Sequence, residues 1–187
     1  MSELPAWYPG SETKPAPMPL LLVQGFVNTR DVEDDADWLA DLPGARRWLI
    51  DAGLLDEKAP LSEIDLELAR AVREGLRTLI DDREAHDAVE PLRALAAVHR
   101  ARLTVTEEGA IGLENAGRGQ LGDGLFDLLL IAHRAQENGS WTRLKICANP
   151  DCQWAFFDRS RNQQGNWCNM AVCGNRLKNR QLRARRR

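Results

Sequence analysis

Four cysteines near the C-terminus constrain the fold of this chain more than any other feature. Cys147, Cys152, Cys168 and Cys173 lie within 27 residues, as two pairs that each enclose four residues, with fifteen residues between the pairs. Zinc takes four thiolates at tetrahedral corners, and two short knuckles joined by a loop can supply them. The spacing therefore predicts a closed structural Zn²⁺ site, with no ligand position left open for catalysis.

Three other interpretations of the cysteines stay open. Two disulfides, with three connectivities, would need an oxidising compartment. Residues 1–19 lack the basic and apolar regions of a secretory signal, so we expect a reducing, cytoplasmic location. An iron–sulfur cluster also takes four thiolates, and four unrelated buried thiols would leave the regular spacing to chance.

No apolar run approaches the ~20 residues of a membrane span, so we expect no membrane partner.

The charge of the chain is divided between two opposite parts. The formal net charge of -3 combines residues 141–187, which carry eleven basic and two acidic residues, with residues 1–140, which carry 14 basic and 26 acidic residues. Such an asymmetry predicts that the C-terminal segment binds a polyanion and that the front part would repel one.

The stretch after Cys173 predicts a basic helix, because it lacks proline and is rich in helix formers. The candidate nucleic-acid-binding residues are Arg159, Arg161, Arg176, Lys178, Arg180, Arg183 and Arg187. Guanidinium groups bind successive phosphates, and one or two can reach guanine edges in the major groove. The alternatives are that the terminal arginines form a solvated tail and that Asn175 and Arg176 brace the second cysteine pair.

Local patterns predict an α+β fold, with a mostly helical front domain that includes one small antiparallel hairpin. Ser62, with Asp65 three residues later, predicts the start of a long amphipathic helix. The turn residues 107–109 lie between two short strands, 103–106 and 110–114. Further helices are predicted over residues 43–53, 88–100 and 125–136, while residues 20–23 fit either a strand or a helix. The predicted parts are a proline-rich extended arm (1–19), a helical domain (20–140) and a zinc finger with a basic helix (141–187).

Four aromatic residues are predicted to form a miniature core around the cysteines. They are Trp154, Phe156, Phe157 and Trp167. Aromatic residues beside zinc knuckles usually serve packing, and the alternative is that one of them stacks on a base.

Residues 1–140 show no pattern typical of an enzyme. No nucleophile with a partner and no acid–base pair is visible. The glycines at positions 117, 119, 122 and 124 do not fit a phosphate-binding loop, and they predict a flexible connector. Asn28, Thr29 and Arg77 are the candidates for lining a ligand pocket, with turn and capping roles as the alternative.

Several motifs resemble one known family arrangement, the CGNR zinc finger at the C-terminus of an ABATE domain. The matching stretches are Gly25-Phe26-Val27-Asn28-Thr29, Phe156-Phe157-Asp158-Arg159-Ser160-Arg161-Asn162, Trp167-Cys168-Asn169-Met170 and Cys173-Gly174-Asn175-Arg176. The resemblance implies a bacterial, zinc-containing, DNA-binding stress-response regulator. Family members often carry arginines where residues 163–166 read Gln-Gln-Gly-Asn, so here the C-terminal basic stripe must carry more of the DNA affinity.

Together these observations predict a zinc-dependent DNA-binding transcription regulator whose front domain senses a small-molecule effector or dimerises. A single finger module buries only about 600–1,000 Å² on DNA, which favours a homodimer. The alternative is a zinc module that binds RNA or the ribosome.

Overall fold

Helices and short antiparallel strands alternate along the chain, which confirms the predicted α+β class. The computed structural model describes residues 4–10, 14–81 and 89–175. The elements are α1 (Leu20–Val27), β1 (Arg30–Asp31), β2 (Ala36–Asp37), α2 (Leu42–Asp51), α3 (Glu63–Asp81), α4 (Glu90–Val98), β3 (Ala101–Val105), β4 (Ile111–Asn115), α5 (Leu121–Glu137), a 3₁₀ turn (Ser140–Arg143), β5 (Leu144–Ile146), β6 (Ala155–Phe157) and a π turn (Met170–Gly174). The predicted basic helix, with Arg176, Lys178, Arg180, Arg183 and Arg187, lies outside the described residues.

The longest helix, α3, starts at the signal predicted for it. The backbone N–H of Asp65 donates to the Ser62 hydroxyl, and the N–H of Ser62 donates to the Asp65 carboxylate at 2.9 Å. This reciprocal pair satisfies two N–H groups that a helix start leaves unbonded. The fully buried side chains along one face of α3 are Leu66, Ala69, Val72, Leu76 and Ile80.

The short apolar run at residues 20–23 forms the first half of α1. Every residue of α1 except Leu22 is buried. A helix that is buried all round has no polar face, so its sequence carries no helical periodicity. This explains why the sequence pattern fits a strand equally well.

Helix α5 begins at Leu121, four residues before the predicted start. A capping box between Gln120 and Asp123 forms its first turn. Gly122 and Gly124 are therefore helical, and the prediction that they belong to a flexible connector is wrong. Gly124 packs directly on the backbone carbonyl of Leu54, which leaves no room for a Cβ atom.

Gly124→Ala should lower the free energy of unfolding by about 2 kcal/mol. The new methyl group would collide with the backbone carbonyl of Leu54, which cannot move aside as a flexible side chain could. Gly112→Ala is the matched control, since its Cβ would meet only the Thr104 hydroxyl at an ordinary 3.6 Å. Urea unfolding of both variants measures the difference. Equal losses in the two variants would contradict the close approach of α5 to Leu54.

The hairpin predicted around residues 107–109 is present. Strand β3 pairs with β4 in an antiparallel register that sets Leu103 opposite Leu113 and Val105 opposite Ile111. Gly109 has a φ of 81°, a left-handed conformation that favours glycine at this turn. Strand β4 packs against α5.

Strands β5 and β6 join the predicted finger to the front domain through one common core. Leu144, Ala155 and Phe157 belong to the same buried cluster as the side chains of α1, α3 and α5. Phe156, on the opposite face of β6, packs with the cysteines instead. Adjacent strand residues point to opposite faces, so the prediction that both phenylalanines line the miniature core is correct for Phe156 and wrong for Phe157.

The described residues of the proline-rich arm pack both on this hairpin and on α1. The backbone N–H of Phe157 donates to the Lys14 carbonyl at 2.9 Å, and the N–H of Ala16 donates to the Gln24 side chain at 2.7 Å. Tyr8 and Ala16 are buried. The arm therefore forms part of the contact between the front domain and β6.

Candidate metal centre

The structure brings all four cysteines to one point. Cys147 follows β5 and Cys152 precedes β6, while Cys168 and Cys173 come from the loop after β6 and from the π turn. Their four sulfur atoms lie within 4.8 Å of one another. The Sγ atom of Cys168 lies 3.6 Å from the Sγ atom of Cys152 and 3.7 Å from the Sγ atom of Cys173. Zinc–sulfur bonds of ~2.3 Å at tetrahedral angles would give sulfur separations of about 3.8 Å.

These separations fit a shared metal ion and do not fit disulfides. A disulfide needs sulfur atoms about 2.05 Å apart, and all four cysteines are free thiols. Cys147, Cys152 and Cys173 are buried, and Cys168 is half-buried. The four-thiol set is thus a metal site closed by the protein on most sides, with soft donors only.

The mutual hydrogen bonds of Cys147, Cys152 and Cys168 oppose ionisation of these three thiols at the same time. Hydrogen bonds from the Cys152 and Cys168 side chains lower the pKa of Cys147 to about 2. The thiolate so formed accepts the hydrogen bond of Cys152 and raises the pKa of that thiol to about 12. It raises the pKa of Cys168 in the same way. A bound metal ion removes this conflict, because it deprotonates each coordinating thiol outright.

Asparagine side chains hold both cysteine knuckles, residues 147–152 and 168–173. In the first knuckle, the buried Asn149 side chain accepts from the Asp151 N–H at 3.4 Å, and the Cys152 N–H donates to the Asn149 backbone carbonyl. In the second, the Asn169 side chain accepts from the N–H groups of Ala171 and Val172. Neither Asn149 nor Asn169 is among the predicted site residues, although asparagine in short loops is a known signal for such turns.

The residues after Cys173 explain part of the Cys-Gly-Asn-Arg motif. The Asn175 side chain donates to the Ala171 carbonyl at 3.1 Å, which agrees with the bracing alternative for this residue. A Cβ atom on Gly174 would collide with the Met170 sulfur and crowd Trp167. Glycine and asparagine at these positions therefore shape the second knuckle.

Two family models match the chain. The model of the ABATE family, described as "Putative stress-induced transcription regulator", matches residues 22–137, well over half of the chain. The chain belongs to the ABATE family. The model of the CGNR zinc finger matches residues 143–186, which include all four cysteines. No curated protein matches this ABATE chain.

The ABATE domain (residues 22–137) supports the metal centre through Asn28. The buried side chain of Asn28 donates to the Ala155 carbonyl at 2.9 Å and accepts from the Ala155 N–H at 2.8 Å. Asn28 thereby bonds the backbone of Ala155, the first residue of β6, as a neighbouring strand would. Ala155 lies three residues after Cys152. Its amide also donates to the Tyr8 hydroxyl.

Arg77 of the ABATE domain binds the residue that directly follows the first knuckle. Its guanidinium donates to the carbonyls of Gln153, Val27 and Arg30, at 2.6, 2.7 and 3.2 Å. Gln153 follows Cys152 and has a φ of 53°, a left-handed conformation uncommon for glutamine. Arg77 thus holds a strained residue next to a metal ligand. The structure brings Arg77 and Asn28, two of the predicted ligand-pocket residues, to this contact.

Thr29, the third predicted ligand-pocket residue, serves a separate buried network. Its hydroxyl donates to the Phe26 carbonyl and accepts from Arg73. Arg73 also makes a bidentate pair with Asp37, at 2.6 and 2.9 Å. Burial opposes ionisation of Asp37, and the hydrogen bonds from Arg73 and Leu39 nevertheless lower its pKa.

The basic residues of the finger fall into two groups. Arg143 donates to the carbonyls of Asp158 and Ser160, and Lys145 pairs with the Asp158 carboxylate at 2.9 Å, so these two cations stabilise the loop after β6. Arg159 and Arg161 are exposed, although Arg159 donates one hydrogen bond to Pro15. The exposed pair is therefore the part of the predicted nucleic-acid surface that the described residues contain.

Within the described ranges, no helix combines the length and the apolar character that crossing a bilayer requires.

Proposed function

We propose that this ABATE chain is a zinc-dependent, DNA-binding transcription regulator, without enzymatic activity, in a reducing bacterial cytoplasm. The observation that carries the proposal is the cluster of four free cysteines, with all four sulfur atoms within 4.8 Å of one another, directly before a segment rich in arginine. Four thiolates and no open position suit structural Zn²⁺. A closed metal site can orient the chain that leaves it, and here that chain carries the cations.

The charge distribution supports DNA as the partner. The arginines that follow Cys173 can neutralise successive phosphates, and Arg159 and Arg161 add two exposed cations on the preceding loop. The acidic ABATE domain would be repelled by the same phosphates, so it faces away from DNA in this proposal. It senses an effector or joins two chains, and the contacts of Arg77 and Asn28 transmit its state to the finger.

Salt titration of DNA binding tests this proposal. If about five cations contact phosphates, the logarithm of the binding constant should fall with the logarithm of salt concentration at a slope of about -4 to -5. Replacing both Arg159 and Arg161 by Gln should make this negative slope shallower by about 2. Arg93→Gln on α4, far from the finger in sequence, should leave the slope unchanged. Fluorescence anisotropy with labelled duplex measures all three.

Two further arms identify the partner and the role of the metal. Cys173→Ser should weaken binding, because the incomplete metal site no longer orients the arginines that follow it. Single-stranded RNA should compete poorly with the duplex; preferential binding of RNA would replace the DNA proposal with an RNA-associated zinc module. Absence of any salt-dependent affinity for either polymer would refute both.

A further inference from the structure

The β3–β4 hairpin exposes apolar side chains that nothing in the described part of the chain covers. Leu103, Val105 and Ile111 are 73%, 69% and 74% exposed. Single exposed apolar residues are ordinary on protein surfaces, whereas contiguous ones mark binding surfaces. Three such residues on two paired strands therefore need an explanation.

The register places these side chains on one side of the hairpin. Leu103 is opposite the half-buried Leu113, and Val105 is opposite Ile111. Residues two apart on a strand share a face, so the four side chains form one surface, the apolar strip. Two flanking backbone bonds, Thr106 N–H to Ala110 O and Ala116 N–H to Arg100 O, make both pairs non-hydrogen-bonded, the geometry in which side chains lie closest.

The other side of the hairpin is polar. Arg102 and Glu114 are opposite each other and form an ion pair at 3.5 Å, and Thr104 lies beside them. The hairpin is thus amphipathic in the way of a sheet that covers a core with one face. A sheet of only two strands is marginally stable unless that face packs on something.

We propose that the apolar strip is the surface through which two copies of this chain pair, hairpin against hairpin. This inference rests on the homodimer of the proposed function and names its interface. The partner is a second copy because the charges of the hairpin complement those of another hairpin of the same sequence. Arg100 lies at the open end of the hairpin, directly before β3, and Glu107 and Glu108 lie in its turn. A two-fold axis that sets the two hairpins antiparallel places the acidic turn of each copy next to Arg100 of the other.

The size of the strip determines how strong this pairing is. Four apolar side chains per copy are far fewer than the 20 to 30 residues that each partner contributes to a standard stable interface. The dimer therefore dissociates on dilution, with a Kd of about 10 to 100 µM. Two half-sites on one DNA would raise the effective concentration of the second copy and complete the dimer there.

Sedimentation equilibrium of the metal-loaded full chain, from about 1 to 200 µM, tests the interface. The mass should rise with concentration from the 21.0 kDa monomer toward twice that value. The double variant Leu103→Asp/Ile111→Asp should raise the Kd at least about tenfold, because paired hairpins would bury four like charges. Ile64→Asp, at a 78% exposed isoleucine on α3, is the matched control and should leave the Kd unchanged.

A charge reversal tests the antiparallel arrangement. Arg100→Glu and Glu108→Arg should each weaken the dimer, and the two together in one chain should restore it. A strict monomer over the whole range, or a dimer that the double aspartate variant leaves intact, would overturn the interface. Metal content and the salt slope on DNA, measured on the double aspartate variant, distinguish the two proposals. If the dimer is lost while both quantities stay as in the unmodified chain, the DNA-binding proposal holds without the dimer interface.

Discussion

Removing the metal should destabilise the ABATE domain as well as the finger. The finger alone has a small apolar cluster built on Phe156, Trp154 and Trp167, and metal binding to such a site supplies on the order of 10 kcal/mol of folding free energy. Its β5–β6 hairpin, however, also fills the main core through Leu144, Ala155 and Phe157. Loss of the metal therefore withdraws side chains from the core of the front domain.

Circular dichroism during thermal unfolding measures this effect. A strong chelator should lower the Tm of the helical signal by at least about 10 °C, since each kcal/mol shifts the Tm of a chain of this size by about 2–4 °C. Cys152→Ser should lower the Tm without chelator, and chelator should then add little. A helical signal whose Tm ignores both treatments would contradict the shared core.

Arg77→Ala should cost about 3–5 kcal/mol of stability and weaken metal binding. The substitution leaves the carbonyls of Gln153, Val27 and Arg30 without their donor, and an unpaired buried polar group costs about 1–3 kcal/mol. It also frees Gln153, next to Cys152, from the contact that holds its left-handed backbone. Arg77→Lys should recover little, because one ammonium group cannot reproduce the planar fork.

The matched control is Arg93→Ala on α4, where the side chain is 55% exposed and pairs with Glu90 on the same helix. Such a pair contributes about 0.3–0.5 kcal/mol. Chemical unfolding gives the stability of each variant, and competition with a chromophoric chelator gives its metal affinity. Equal results for the variants at positions 77 and 93 would show that Arg77 does not support the knuckle.

The features predicted correctly from the sequence depend on neighbours in the chain. The Ser62 cap of α3 and the turn at Gly109 need contacts only a few residues apart. The four cysteines are predictable for a related reason: each knuckle is local, and the metal chemistry specifies how the two knuckles meet.

The features that the sequence did not reveal depend on distant partners. Asn28 pairs with Ala155 across 127 residues of chain, and Arg77 with Gln153 across 76. The sequence indicates both residues only as candidates for lining a ligand pocket, so only the fold identifies their contact with the finger. Gly124 is helical because Leu54 packs against it, a tertiary requirement that overrides the low helix propensity of glycine.

Metal analysis of the purified chain determines whether the four cysteines together hold one zinc ion. We expect one zinc ion per 21.0 kDa chain, four thiols that react with a thiol reagent only after chelation, and loss of the metal in Cys173→Ser. A purified chain with no metal and four freely reactive thiols, or with its cysteines joined as disulfides, would contradict it.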